Sequence, residues 1–327
     1  MVEAIPNPPA ITHQPANSRI WSTLYIGSSW LTVTGALMLA DIVISLIGLA
    51  TDPTLITGAP AWLKPLKFAI STAMFSFTLA WMIGQLHRFR RFAGILGKVL
   101  ALALIIEIAL IDTQAARHHT SHFNVGSSFD GRVFAVMGIS IAALYLATAI
   151  LFLLTCFEPF RDKPVGWAIR LGLLLSLAGM GTGALMVTPT PQQLAEAHAT
   201  GQLTHVGSHT IGAPDGGPGL PLTNWSAAHG DLRIAHFLGL HAMQLLLLGW
   251  FLTRRHWSSQ SQLRLVFTLA ASSAIAFAVV LLQAMKGQPF LHPDTQVTTA
   301  WLACAAITAA GLFWSSANRH HLTTETA

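Results

Sequence analysis

The sequence predicts an all-α, polytopic membrane protein with about eight transmembrane helices. Three observations predict it. Charged residues are 9% and hydrophobic residues 53% of 327, where a soluble domain carries about 25% charged residues. Mean hydropathy is +0.56, and the excess lies in eight apolar runs, each near the roughly 20 residues that cross a bilayer core. Basic residues cluster in the short loops between alternate runs, the pattern that orients membrane spans.

The expected spans are 29–50, 66–86, 94–113, 133–156, 167–187, 232–253, 264–284 and 298–316. The segment ahead of the first is polar and proline-containing as far as Arg19. It lacks the charged-then-apolar order of a cleaved signal peptide. Arg88, Arg90, Arg91 and Lys98 lie between spans two and three, Arg161, Lys163 and Arg170 between four and five, and Arg254, Arg255 and Arg264 between six and seven. With Arg19 and Arg319, twelve of the 18 lysines and arginines fall on one side. That side is expected to be cytoplasmic, with both termini there, in a cell inner membrane. The pI near 9.7 is then explained by orientation rather than by nucleic acid. The lipid bilayer is the expected partner, and protein partners are open. Cys156 and Cys304 fall in different spans and form no Cys-x-x-Cys motif, so no disulfide is expected.

The longest connection, 188–231, falls outside. Gln192 to Ala199 suggests a surface helix, and Gly212 to Pro221 is too rich in glycine and proline for anything but turns. Leu220, Leu222 and Trp225 favour an ordered cap. Ten of the fifteen histidines also lie toward this side.

Two stretches repeat at a constant offset of 169 residues. Lys64-Pro-Leu-Lys67-Phe68 matches Arg233-Ile-Ala-His236-Phe237, and Gln114-Ala-Ala-Arg117 matches Gln283-Ala-Met-Lys286. Gly58-Ala-Pro60 and Gly212-Ala-Pro214 precede the first pair. A tandem duplication is expected, with four-helix halves 1–165 and 166–327 related by an axis along the membrane normal.

Ionisable groups inside spans are costly and mark function by default. Glu107 lies in the outer half of span three, on one side of the helix with Gln114 and Arg117. In span six, His229, Arg233, His236 and Gln244 fall within about 80° of one another on a helical projection. His241 widens that arc. Asp231 points elsewhere and suits the helix start. Asp41 is mid-span in the first helix, where it is expected to pair with a histidine, to bind a proton or to hold a structural partner. After span three, His118 and His122 share a face if the helix continues and can then take a divalent metal. His205 and His209 have the same spacing in a loop, where Asp215 is a further candidate. Lys64 and Lys67 either reach up to headgroups or form an anion clamp completed by Arg233 and Lys286. No phosphate-binding glycine loop and no nucleophile elbow is present.

The Lys-Pro-Leu-Lys-Phe68, Ser121-His-Phe-Asn124, Pro214-Asp-Gly-Gly-Pro-Gly-Leu-Pro221 and Gly230-Asp-Leu-Arg-Ile-Ala-His-Phe237 motifs together resemble those of an uncharacterised bacterial family of polytopic membrane proteins. The resemblance covers most of the chain and implies no activity. The eight-span, doubled layout is also similar to that of haem A synthases, which place haem-ligand histidines in spans two, four, six and eight. Here only span six has any, so the likeness is one of layout.

Three functional classes stay open. The first is a redox protein with its site in the outer half of the bilayer. Glu107, His236 and His241 are then its catalytic residues. Arg233, Gln114, Lys286 and Gln244 bind the cofactor or an anionic group. His229, His236, His241, His118 and His122 supply metal ligands, with haem b or a divalent metal as the cofactor. The second is a proton-coupled transporter or channel. The third is a structural or assembly protein, and whether the chain is an enzyme is left open.

Overall fold

The computed structural model describes residues 16–317. Among them are ten helices: α1 (Ala16–Gly27), α2 (Ser29–Thr51), α3 (Leu63–Gly84), α4 (Arg90–Ala116), α5 (Ser128–Cys156), α6 (Lys163–Met186), α7 (Pro191–Thr200), α8 (Leu232–Thr253), α9 (Ser259–Met285) and α10 (Thr295–Ser316). All but α1 and α7 are long and apolar enough to cross a membrane. The chain is an all-α polytopic membrane protein. Sheet is confined to two short antiparallel ladders, β1 (Leu55–Ile56) with β2 (Ala59–Pro60) and β3 (Thr210–Ile211) with β4 (Gly230–Asp231).

Most spans begin three to five residues before the apolar runs do. At α5, α6, α9 and α10 the reason is capping, since a polar side chain must satisfy the first backbone N–H groups, whereas α3 and α4 start early with no side-chain cap. Ser127 caps α5, Asp162 caps α6, Asp231 caps α8, Ser258 caps α9 and Asp294 caps α10. Hydropathy sees the hydrocarbon stretch and misses these polar first turns. The sequence reading also missed α1, which packs on α3. The expected surface helix appears as α7, closed by a Thr190/Gln193 capping box. Arg319, one of the orienting cations, lies outside the described residues.

Alternate spans run in opposite directions, which gives the bundle two ends. One end carries the long loop 188–231 and is called the loop end. The other carries the basic loops and is called the basic end. Both α3 and α8 start at the loop end. Packing follows one order twice: α2 with α3, α3 with α4, α2 with α4 and α4 with α5, then α6 with α8, α8 with α9, α6 with α9 and α9 with α10. Helix α5 joins the two sets by packing on α6. Helices α6 and α8 meet backbone to backbone, where a Cβ on Gly239 would lie 2.5 Å from Gly179 Cα. A shift of 169 residues carries both ends of α3 onto those of α8, and both ends of α4 onto those of α9.

The core is uneven along the bundle axis. A large apolar cluster fills the basic half, with Leu79, Met82, Ile83, Leu100, Leu151, Leu173, Met243 and Leu246 among its members. The loop half holds smaller apolar clusters and, between them, buried polar groups.

Candidate functional site

Glu107 is 4% exposed and sits nine residues below the end of α4, about 13 Å down the helix. The chain leaves α4 through His118 at φ 59° and bends again at Phe123, φ 66°. This brings His122 back over Glu107. His122 Nε2 is 3.3 Å from Glu107 Oε1, and its Nδ1 is 3.0 Å from both Lys64 Nζ and Ser121 Oγ. A neutral imidazole suits these partners, with Nε2–H donating to the carboxylate and Nδ1 accepting from the ammonium. Burial, and then the charge of Lys64, hold His122 below its ordinary pKa. Glu107 Oε2 is buried and has no partner. The three groups make a chain along which a proton can move from amine to imidazole to carboxylate.

Lys64 opens a polar seam between α3 and α8. The two helices are not closely packed, and their side chains bridge the space. Lys67 Nζ donates to Thr223 O at 2.6 Å. Arg233 pairs with Asp231 at 2.6 Å and donates to Asn224 O at 2.7 Å. Lys64, Lys67 and Arg233 lie within electrostatic reach of one another. Deeper, His236 Nδ1 donates to Gly179 O at 2.8 Å, next to Thr182 Oγ1. Ser71 Oγ and His241 Nε2 are 2.9 Å apart, and Gln244 Nε2 donates to Thr78 Oγ1 at 3.4 Å. His241 Nδ1 and Gln244 Oε1 are buried without partners. Thr78 is 15 residues into α3, so the seam reaches about 22 Å from the loop end. Below it the rings of Trp81 and Trp250 meet at 5.7 Å, and the apolar cluster takes over.

The loop 188–231 covers the mouth of the seam as an ordered cap. Asp215 accepts from Ser208 Oγ, from the backbone N–H of His209 and Thr210, and from His209 Nδ1 at 2.7 Å. Burial opposes the Asp215 charge, but these donors outweigh it and hold the carboxyl well below its usual range. Burial pushes His209 down to about 4, so it is neutral at pH 7. Gly207, at φ 103°, is required by close approach, since a Cβ there would lie 2.1 Å from Met186 O. Leu222 and Asn224 hold left-handed φ values of 65° and 52° and turn the carbonyls of Thr223 and Asn224 onto Lys67 and Arg233.

The structure brings Glu107, His122, Arg233, His236, His241 and Gln244 to one face of the loop half, and it separates the others. Helix α4 ends at Ala116, so the i,i+4 spacing of His118 and His122 never operates. His118 bonds Asp52 Oδ2 at 3.0 Å instead. Helix α8 starts at Leu232, which takes His229 off the stripe; its N–H bonds Ser226 Oγ. Gln114 is bound by Thr120 O, Asp130 and Arg117. Lys286 pairs with Asp294 and Gln296, away from Arg233, so it does not complete the anion clamp. His236 and His241, five residues apart, turn to different partners. Among the described residues no three His, Cys, Asp or Glu side chains come together to hold a metal. The five expected metal ligands therefore do not form one centre.

Two features were missed. Lys64 was read as an interfacial or clamp residue, and its contact with His122 depends on a loop that sequence spacing does not fix. Asp41 pairs with another carboxyl rather than a histidine. It lies in hydrogen-bond contact with Asp112 of α4, and Asp41 Oδ2 and Asp112 Oδ1 are buried without a donor. A hydrogen bond between two carboxyls needs a proton on one of them. Asp112 was visible as an ionisable residue inside span three, so the signal existed.

No family model matches the chain, and neither a curated protein nor a solved structure is significantly similar to it.

Proposed function

We propose that this protein is a proton-coupled carrier of the cell inner membrane, with its loop end outside and its termini in the cytoplasm. Its solute path is the seam between α3 and α8, and Lys64, His122 and Glu107 carry the coupled proton. One observation carries the reading. The seam is lined by polar groups from the loop end to Thr78 and then closed by Trp81 and Trp250. A polar path that reaches in from one end, capped there by the loop 188–231 and stopped at the other side by an aromatic pair, is the form of a carrier between its open states.

The tandem duplication supports it. Helices α3 and α8 share both boundaries under the 169-residue shift, as do α4 and α9. The same shift relates Lys64 to Arg233, Lys67 to His236 and Trp81 to Trp250. Equivalent helices facing each other across a pseudo-twofold axis are the layout in which parallel-repeat carriers bind solute between halves. Rocking one half against the other would open the tryptophan pair and close the mouth. The redox reading loses support because its histidines have separate partners.

The test uses the purified chain in proteoliposomes with a trapped pH-sensitive dye. A solute gradient should drive proton flux that Glu107→Gln removes. A Soret band or stoichiometric redox metal in the purified protein, with no proton flux, would return the function to the redox class.

A further inference from the structure

We infer that the mouth of the seam binds a small oxyanion, a carboxylate or phosphate, between Lys64, Lys67 and Arg233, and that the cap loop holds this place with two of its own carbonyl oxygens. As a transported species the anion rests on the carrier reading; the binding site stands on the geometry alone.

The three cations face one another, an arrangement that repels unless something negative lies between them. The nearby carboxylates fill that role only in part: Glu107 acts on Lys64 from behind His122 but not on Lys67. Asp231 is taken up by Arg233, by its own helix start and by Ser226 N. Asp215 is taken up inside the cap. Among the described residues neither lysine makes an ion pair. Lys64 rests on neutral His122, and Lys67 on one carbonyl. Both α3 and α8 direct their N-termini to the same mouth, and the first turn of α3 has no side-chain cap, which adds positive potential there.

What occupies the place is the turn at Thr223. Its carbonyl lies 2.6 Å from Lys67 Nζ, and that of Asn224 lies 2.7 Å from Arg233 Nη2. Two neutral oxygens thus satisfy donors that a carboxylate or phosphate could take instead. An anion makes stronger, charge-assisted bonds to the same donors. The turn holds Leu222 in left-handed backbone, which costs a non-glycine, unbranched-at-Cβ residue some strain. Anion binding therefore displaces the turn and loosens the cap, which ties solute entry to cap opening.

The experiment titrates the purified full chain in nanodiscs with succinate and with inorganic phosphate, using succinamide as the neutral control. Binding is read by calorimetry and by hydrogen exchange of the 222–226 amides. The expected result is saturable binding of at least one anion, none of succinamide, and faster exchange at 222–226 on binding. Lys67→Gln and the pair Lys64→Gln/Lys67→Gln should weaken binding at least about tenfold. Lys67→Arg, which keeps the charge, should retain it and guards against loss of fold. Arg132→Gln, an exposed cation at the same end, should bind as the native chain does. Folded protein that binds neither anion, or binds equally well in the lysine variants, overturns the site. Proton-coupled uptake of a neutral solute without anion binding overturns it and spares the carrier reading. Lysine-dependent anion binding without proton flux supports the site and removes the carrier.

Discussion

The α3–α4 hairpin and the α8–α9 hairpin have the same helix boundaries under a shift of 169 residues, yet they carry different polar groups. The groups they share build the frame. Gln114 and Gln283 are both fully buried, and each donates its Nε2 to the loop carbonyl six residues on, Thr120 O at 3.2 Å and Pro289 O at 2.8 Å. His118 and Gly287, at equivalent positions, leave their helices in the same left-handed conformation, φ 59° and 71°. Trp81 and Trp250 are likewise equivalent. The groups that differ are those of the site: Glu107 against Ala276, Asp112 against Leu281 and His122 against Leu291. The glutamines, Gln114 among them although it was read from sequence as a cofactor ligand, hold loops, whereas Glu107 and His122 have no counterpart under the shift, and this divides frame from proposed proton path.

The largest test of this division is Glu107→Gln. It removes the carboxylate under His122 but keeps the volume. Proton flux should fall by about a hundredfold or more, the usual weight of a positioned acid–base group, while the melting temperature in detergent holds. Flux that survives in a folded variant would break the division by moving Glu107 into the frame.

The α6–α8 contact is the next largest. There glycine meets glycine backbone, whereas α2 presents Gly35 and Gly48 to the flexible rings of Phe77 and Trp62 on the α3 side. Gly239→Val has no side chain to push aside and should cost about 3 kcal/mol or more, seen as lost thermal stability. A native-like melt would mean that the two α6–α8 backbones can separate freely. Gln114→Ala and Gln283→Ala come below that. Each leaves a loop carbonyl without its donor, for about 2 kcal/mol, and Gln114→Ala should cost the more because it also loses Asp130 and Arg117. Loss of proton flux in Gln114→Ala without loss of stability would restore it to the site.

How much of this was legible follows the same line. The spans were legible because the bilayer demands long apolar runs. Glu107, Arg233 and His236 stood out as polar residues in apolar surroundings. The Lys64–His122 contact was not legible, since it joins residues 58 apart through a loop whose path depends on φ at His118 and Phe123. The expected metal pair, His118 with His122, came from extending α4 six residues past its end at Ala116. Helix ends are set by local caps and turns, which hydropathy does not register.

The two short ladders give the smallest and most local comparison. Each is tied by an aspartate at the loop end. Asp52 accepts from Thr54 N and Trp62 Nε1, with His118 as an exposed partner, and these bonds, chiefly those of Thr54, hold its carboxyl down at about 2. Asp215 does the same for the second ladder but with His209, which burial holds at about 4. The pH response should therefore differ. The folded pKa of His209 is depressed, so the opened loop binds more protons than the closed one between the two values. Stability of the closed cap is fully present above the ordinary histidine value of 6.5 and is lost as pH falls from there toward about 4. With partial exposure and only local opening, the loss should be about 1 kcal/mol. Asp215 adds no change in that window, because its own loss begins below the usual carboxylate range. Hydrogen exchange of the 208–215 amides, corrected for intrinsic rates, should quicken several-fold between pH 7 and pH 5 relative to amides 54–61. His209→Asn should flatten that difference. Equal pH dependence in the two ladders would show that the burial of His209 does not govern how the cap opens.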